Sequence, residues 1–279
     1  MNTLVTPTWL STRLHDPNII ILDATLPPVG IIPPIDTRAR YLDNHIPGAI
    51  FFDIEELSDH TTPLPHMLPT PEDFSRSMSS LGLSDINTIV VYEQEGVFSA
   101  PRAWWTLRTF GAQHVYLLDG GLRAWTEAGL PTESGPVHRA PAIFHATLNQ
   151  KAVKNLSQLK DKITNRQQIL DARSAARFNG TAPEPRPGLS SGHMPGATSL
   201  PFTELIEDGR LKPADKLRDL FLAKQVDLQQ PITTTCGSGV TAAVVALGLE
   251  VVGAPNVSLY DGSWAEYAQQ PQSVIEKNN

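Results

Sequence analysis

Cysteine is almost absent from this sequence: among 279 residues there is one, Cys236. A single cysteine excludes an intramolecular disulfide, is typical of a reducing compartment and leaves the thiol available for chemistry. No apolar run approaches the ~20 residues that a membrane-spanning helix requires. Residues 1–10 also lack the basic start and the apolar core of a signal peptide. We therefore expect a soluble, cytoplasmic protein with no membrane partner.

Positive charge is also scarce. The 22 lysines and arginines are outnumbered by 29 acidic residues, and no basic run occurs, so the net charge is −7. Nucleic acids and acidic membranes attract basic surfaces, so this balance argues against both as partners. No group of histidines and acids has the spacing of metal ligands, so we expect neither a metal nor another cofactor. The length suits two domains, each with its own core.

An internal repeat organises the chain. Three short motifs occur twice, in the same order and at nearly constant spacing: ILDA at residues 21–24 and 169–172, HIPGA at 45–49 and HMPGA at 193–197, and DGGLRAW at 119–125 and DGSW at 261–264. Such a long period excludes a solenoid and indicates that each copy is a whole domain. We expect a first domain over 1–135, a linker over 136–153 and a second domain over 154–279.

Each copy alternates short apolar strands with helical stretches. The predicted strands are 18–23, 88–92 and 114–119 in the first copy, with a helix over 99–110, and 168–171, 231–235 and 257–260 in the second. Since parallel strands need crossover connections, this alternation predicts an α/β fold, with helices on both faces of a parallel sheet. The proline-rich segments 63–71 and 181–187 exclude helix and central strand and are predicted to be ordered loops near the site.

Cys236 has an unusual setting. It follows the predicted strand 231–235 and opens the loop GSGVTA at 237–242, after which an apolar helix-forming stretch begins. The sulfur is therefore expected at the end of a strand, beside backbone N–H groups and a helix N-terminus, which favour an anion. A buried core cysteine is the alternative, but it would not require glycines on both sides of Ser238. We predict that Cys236 is a nucleophile and that the loop amides form a nest for its anion.

Two other enzyme classes use similar loops. The loop fits a Gly-x-Gly-x-x-Ala dinucleotide fingerprint, but that requires an acid ~20 residues further on, ending a second strand, and Glu250 comes too early. A cysteine phosphatase requires an arginine where this chain has Ala242. Both are rejected. A non-enzymatic sulfur carrier or binding module, which forms a persulfide without turnover, is retained as an alternative.

The paired His-x-Pro-Gly-Ala motifs, the paired Asp-Gly motifs and the single cysteine loop together resemble the two-domain rhodanese family of sulfurtransferases, over nearly the whole chain. The resemblance implies two tandem rhodanese-like domains. The first is expected to be catalytically silent, because Gln94, or Glu93 after a one-residue slip, stands where the second copy has Cys236.

The loop is similar to that of the branch of the family that uses 3-mercaptopyruvate. The thiosulfate branch carries Arg and Lys where this chain has Gly237 and Ser238. The resemblance therefore implies transfer of sulfur from 3-mercaptopyruvate, through a Cys236 persulfide, to cyanide or to a thiol such as thioredoxin or a small thiol, with release of pyruvate. Thiosulfate as the donor is the alternative.

The resemblance also implies roles for individual residues. Arg177 and Arg186 match the two arginines that bind the donor's carboxylate and carbonyl. Ser238, His66 and Glu55 match a proton relay in which the family generally has Asp at the position of Glu55. The remaining expected contacts with the donor are the loop residues Gly237, Gly239, Val240 and Thr241. We expect structural roles for Arg173, as an ion-pair partner within its domain, and for His45 and His193.

Overall fold

The computed structural model describes residues 3–31 and 33–278 and contains two five-stranded sheets, each built from parallel strand pairs. The chain divides into two units. The first consists of the chain up to Asp59, Leu68–Asn149 and Asp208–Leu211. The second consists of His60–Met67, Gln150–Glu207 and the chain from Lys212 onward. The segment that carries His66 thus belongs to the second unit, although its neighbours in sequence belong to the first.

The first sheet has the strand order β1-β5-β4-β2-β3. Its strands and the helices between them are β1 Leu4–Val5, α1 Pro7–Ser11, β2 Ile19–Asp23, α2 Thr37–Asp43, β3 Ile50–Phe51, α3 Pro71–Ser80, β4 Thr88–Tyr92, α4 Ala100–Thr109, β5 His114–Leu118 and α5 Gly121–Glu127. All five residues of β2 are buried, because a parallel sheet is covered by helices on both faces.

The second sheet repeats this arrangement, with the order β6-β12-β11-β7-β8. The elements of this half are β6 Val153–Lys154, α6 Leu156–Thr164, β7 Gln168–Asp171, α7 Ala175–Asn179, β8 Thr198–Ser199, a 3₁₀ turn Phe202–Leu205, β9 Ile206–Glu207, β10 Arg210–Leu211, α8 Ala214–Ala223, β11 Ile232–Thr235, α9 Ala242–Val251, β12 Val257–Tyr260 and α10 Ser263–Tyr267. Corresponding strands occupy corresponding places, so the sequence repeat is a repeat of whole sheets.

The predicted α/β class with two tandem domains is confirmed, and all six predicted strands are present with ends within one residue. Six two-residue strands were not predicted from the sequence: β1, β3, β6 and β8 at the edges of the five-stranded sheets, and β9 and β10, which pair with each other. The proline-rich segments contain neither helix nor strand, except that Pro71 begins α3. Proline is tolerated there because the first residue of a helix has no N–H partner to lose.

The two repeated histidines hold equivalent turns together. His45 is buried, with Nδ1 2.7 Å from the Tyr41 carbonyl oxygen and its ring stacked on Tyr41 at 4.3 Å. His193 repeats this with Phe178, at 2.9 Å to the carbonyl oxygen and 4.0 Å between ring centroids. Each also forms a backbone bridge to a distant glutamate. These contacts are the ones that a structural role for the two histidines requires.

The last helix of each copy contains a buried tryptophan. Trp125 is completely buried in the core of the first unit, and its Nε1 donates to the Pro131 carbonyl oxygen at 2.7 Å. Trp264 is completely buried in the second core and donates to the Ser190 carbonyl oxygen at 2.9 Å. Each ring therefore fills a core and ties down the segment beside it.

We expect Trp125→Ala to lower the free energy of unfolding of the first unit by about 3–5 kcal/mol, because it leaves a large cavity. Urea unfolding followed by circular dichroism measures this. The control is Ile86→Ala, since Ile86 is 68% exposed and its truncation should change stability by less than about 0.5 kcal/mol. Equal effects of the two substitutions would contradict the assignment of Trp125 to the core.

Candidate active site

Cys236 directly follows β11, which lies between β12 and β7. The cysteine is 2% exposed. The loop is held by backbone hydrogen bonds to α10: Trp264 N–H donates to the Cys236 carbonyl oxygen at 2.8 Å, and Ala265 N–H donates to that of Gly237 at 3.0 Å. The sulfur therefore occupies a fixed position at the carboxyl end of the sheet.

The loop after Cys236 presents open backbone donors. No hydrogen bond to another described residue is donated by the amide N–H groups of the following residues: Gly237, Ser238, Val240, Thr241 and Ala242. Gly239 has φ +80°, a conformation that L side chains rarely adopt, which explains the glycine. A ring of amides ahead of the ten-residue helix α9 favours negative charge on Sγ or on a sulfur attached to it.

The structure brings Ser238 and His66 together. His66 Nδ1 lies 3.0 Å from Ser238 Oγ, and both residues are buried. His66 has φ +59°, in the left-handed region, so its segment adopts an uncommon backbone conformation to present this ring. The contact lies within the second unit. Glu55 belongs to the first unit and is exposed, and its part in a relay stays a prediction.

Both predicted arginines lie beside the loop. A methyl group placed on the Cα of Gly237 would lie 3.0 Å from Arg177 Nη2 and 3.8 Å from Arg186 Nη1. Arg177 comes from α7, and Arg186 from the proline-rich loop that follows it. Two guanidinium groups near one loop are a suitable clamp for a carboxylate. A side chain at position 237 would press on Arg177, so the glycine also leaves room for the arginine.

A glutamate that the sequence analysis did not assign connects Arg177 to the core. Glu184 Oε2 accepts from Arg177 Nε at 3.0 Å and also from Nη2, while Glu184 Oε1 accepts from Arg173 Nη1 at 2.7 Å. Its sequence signal was an acid between Pro183 and Pro185, close to two predicted anion-binding arginines. An acid placed there would weaken the clamp unless it had a pairing role.

Arg173 anchors this contact. Its Nη2 donates to Asp171 Oδ2 at 2.6 Å and to the Gly192 carbonyl oxygen at 2.7 Å, and its guanidinium lies 4.0 Å from the centroid of the Trp264 ring. Burial disfavours the cation, but Asp171 and Glu184 outweigh it and raise the pKa of Arg173. The expected pairing of Arg173 with an acid of its own domain is confirmed.

In the first unit a carboxylate occupies the corresponding loop. Glu93 directly follows β4, and its Oε1 accepts from the N–H groups of Phe98 at 2.7 Å, Ser99 at 3.1 Å and Ala100 at 3.1 Å. Burial raises the pKa of the Glu93 carboxyl to about 7, although these hydrogen bonds lower it. The first unit thus keeps an amide nest ahead of α4 and fills it with its own side chain.

No group of three or more His, Cys, Asp or Glu side chains among the described residues has an arrangement that could hold a metal ion. Among the helices at 3–31 and 33–278, none is both long and apolar enough to cross a membrane.

Comparison with known proteins connects this geometry to a family. Residues 6–128 and 155–270 match the rhodanese-like domain. The chain is 47% identical to the 3-mercaptopyruvate sulfurtransferase of Escherichia coli (strain K12), over 96% of this chain and 95% of that protein. It is 42% identical to the human protein of the same name, over 98% of this chain and 95% of that one. It is 41% identical to the thiosulfate sulfurtransferase of Bos taurus, over 95% of this chain and 91% of that protein.

A solved structure agrees with these sequence matches. The crystal structure of SseA from Escherichia coli, a 3-mercaptopyruvate sulfotransferase, superimposes with a TM-score of 0.88 at 45% identity, covering 95% of this chain and 99% of that one.

Glu93 predicts a pH dependence of stability. Its pKa of about 7 in the folded chain lies above 4.5, so the folded chain binds the proton more tightly than the unfolded chain. The stability that Glu93 contributes is full below pH 4.5 and is lost as pH rises through about 7. Glu93→Gln cannot ionise. Its stability relative to the wild type should therefore rise between pH 5 and 8, by on the order of 2 kcal/mol.

Urea unfolding at a series of pH values measures this difference. The matched control is Glu95→Gln, because the Glu95 side chain is 73% exposed. We expect the curve of that variant to run parallel to the wild-type curve. Parallel curves for Glu93→Gln and the wild type would show that the buried carboxyl does not titrate in this range.

Proposed function

This chain belongs to the rhodanese family, and we propose that it is a sulfurtransferase that moves sulfur from 3-mercaptopyruvate, through a persulfide on Cys236, to a thiol or cyanide acceptor. Pyruvate is the second product. The observation that carries this proposal is the placement of Cys236 in a loop of open amides, with two guanidinium groups beside Gly237. In this proposal residues 154–279 form the catalytic domain, 136–153 the linker and 1–135 a catalytically silent domain.

The first half-reaction forms the persulfide. The donor's carboxylate and carbonyl bind Arg177 and Arg186, which leaves its sulfur facing Cys236. The Cys236 thiolate attacks that sulfur, an S–S bond forms, and the C–S bond breaks with its electron pair moving to carbon. The product is the enolate of pyruvate, which takes a proton to become pyruvate. The loop amides of Gly237, Ser238 and the following residues stabilise the persulfide anion.

Proton transfer accompanies this step, because the donor loses a thiol proton and the enolate carbon gains one. Ser238 Oγ and His66 Nδ1, 3.0 Å apart, form a pair that can pass a proton near the sulfur. In our proposal this pair is the relay, with Glu55 as its acid. The Ser238–His66 contact supports the first part, and the role of Glu55 rests on the family pattern.

The second half-reaction transfers the outer sulfur. An acceptor thiolate or cyanide attacks it, the S–S bond breaks, and the Cys236 thiolate is regenerated. We propose thioredoxin or a small thiol as the acceptor and the cytoplasm as the location, where a single free cysteine stays reduced.

The choice of donor rests on the loop. The identities to the human 3-mercaptopyruvate enzyme and the bovine thiosulfate enzyme, 42% and 41%, are almost equal. Gly237 and Ser238 add no positive charge, which suits a monoanionic oxo acid better than a dianion. Gly237 also leaves space for Arg177, since even a methyl group there would lie 3.0 Å from its Nη2.

We expect Cys236→Ser to abolish pyruvate release from 3-mercaptopyruvate, because a hydroxyl has too high a pKa to act as the nucleophile. Mass spectrometry after exposure to the donor should show one added sulfur atom on the wild type and none on the variant. Circular dichroism checks that the variant is folded. Release of pyruvate at the wild-type rate by the folded serine variant would refute the assignment, and persulfide on the wild type without repeated turnover would favour the sulfur-carrier alternative.

The arginine clamp has its own test. Arg177→Ala and Arg186→Ala should each lower kcat/KM for 3-mercaptopyruvate by about one to three powers of ten, the usual loss when one partner of a buried charge pair is removed. Substitution by Lys should recover only part, because an ammonium cannot bind in a two-pronged way. The control is Arg76→Ala, since that side chain is 74% exposed. Unchanged kinetics in the Arg177 and Arg186 variants would exclude them from donor binding.

A further inference from the structure

A chain of four charged side chains runs from the core of the second unit to the Cys236 loop. Asp171 pairs with Arg173 at 2.6 Å, Arg173 with Glu184 at 2.7 Å, and Glu184 with Arg177. The first three side chains are at most 2% exposed, whereas Arg177 is 23% exposed. The chain is therefore buried at one end and reaches the donor site at the other.

Glu184 holds Arg177 from behind. Its Oε2 accepts from Nε and Nη2 of Arg177, and the Arg177 guanidinium makes no other hydrogen bond to a described residue. This leaves the Nη1 donors and the second Nη2 donor for a ligand. Arg177 Nη2 lies 3.0 Å from the position of a methyl group on Gly237. Glu184 thus fixes which edge of the guanidinium the donor meets.

The same contact lowers the positive charge that the donor meets. Two acids and two bases make the four-membered chain formally neutral, so Glu184 offsets part of the positive charge that Arg177 brings to the site. Because the Glu184 side chain is only 2% exposed, solvent screens its charge poorly.

We propose that Glu184 contributes to donor specificity: by holding Arg177 and offsetting part of its charge, it adapts the clamp to a monoanionic 2-oxo acid and disfavours a dianion such as thiosulfate. This rests on the proposed function, because it assigns a role within that donor site. Without Glu184 the added positive charge would attract a dianion about twice as strongly as a monoanion. With ~6 Å between the Arg177 guanidinium and the anion and an effective dielectric constant of ~20, the affinity for a dianion relative to a monoanion rises by about ten- to a hundredfold.

The test compares Glu184→Gln, which keeps size and removes charge, with Glu184→Asp, which keeps charge. For each protein, kcat/KM is measured with thiosulfate and with 3-mercaptopyruvate. We expect the ratio of thiosulfate to 3-mercaptopyruvate to rise at least tenfold in the Gln variant and to change less than threefold in the Asp variant. An unchanged ratio in folded Glu184→Gln, or an equal rise in both variants, would overturn the proposal.

Removing one buried acid could prevent folding. The double variant Arg173→Gln with Glu184→Gln removes one buried charge of each sign and keeps the chain neutral, while Arg177 still loses its carboxylate. We expect the same rise in the ratio for this protein, and its absence would equally overturn the proposal.

Anion binding gives a second readout that needs no turnover. Pyruvate, a monoanion, and sulfate, a dianion, are titrated as protectants of Cys236 against iodoacetamide. In the Gln variants, the ratio of the affinity for sulfate to the affinity for pyruvate should be at least tenfold higher than in the wild type. An unchanged ratio would refute the role of Glu184. If the wild type released no pyruvate from 3-mercaptopyruvate, the proposed function would fail, while this readout would still decide the charge effect of Glu184.

Discussion

A strand that turns directly into a helix leaves several backbone N–H groups without carbonyl partners, and negative charge stabilises them. Both halves of this chain contain such a turn after a central strand, one before α4 and one before α9. In the first half the Glu93 carboxyl accepts hydrogen bonds from these N–H groups. In the second half Cys236 stands at the strand end, and the N–H groups of Gly237, Ser238, Val240, Thr241 and Ala242 donate to no other described residue. The same backbone constraint therefore gives a loop filled by its own side chain in one copy and, in our proposal, a site for a sulfur anion in the other.

The parts that sequence reasoning predicted are those with a local pattern. β2, β4 and β11 are buried on both faces, so they read as continuous apolar or β-branched runs. The Cys236 loop is also local, since its glycines and the following apolar helix adjoin the cysteine. The edge strands, such as β3 at Ile50–Phe51, were missed because two residues are too few to show any periodicity.

The interactions that sequence reasoning missed are contacts between distant segments or within irregular ones. Glu184 lies between two prolines, and nothing in the local sequence states which arginines its oxygens meet. His66 was assigned from the family pattern, yet its contact with Ser238 spans much of the chain and requires an uncommon backbone conformation at the histidine. Such contacts are fixed by how a loop folds back onto the sheet, which no periodicity encodes.

The two copies also differ one position beyond each repeated Ile-Leu-Asp-Ala motif. In the second, Arg173 pairs with Asp171 and packs on Trp264. In the first, Thr25 stands at the equivalent position and donates to Asp23, and burial raises the pKa of that acid. A buried cation such as Arg173 needs acids around it, and one of these, Glu184, also accepts from Arg177.

Charge balance at the site also bears on product release. A clamp of two fully charged arginines would bind the donor's carboxylate and the carboxylate of pyruvate with similar strength, because neither carboxylate changes during the reaction. Binding that is equal in the ground state and the transition state does not raise kcat, and it slows release of the product. Partial neutralisation of Arg177 by Glu184 weakens this uniform binding of the carboxylate.

The amide nest acts differently, since the charge it meets develops on sulfur only as the persulfide forms. In the proposed mechanism the arginines thus orient the donor, and the loop stabilises the anion that the reaction creates.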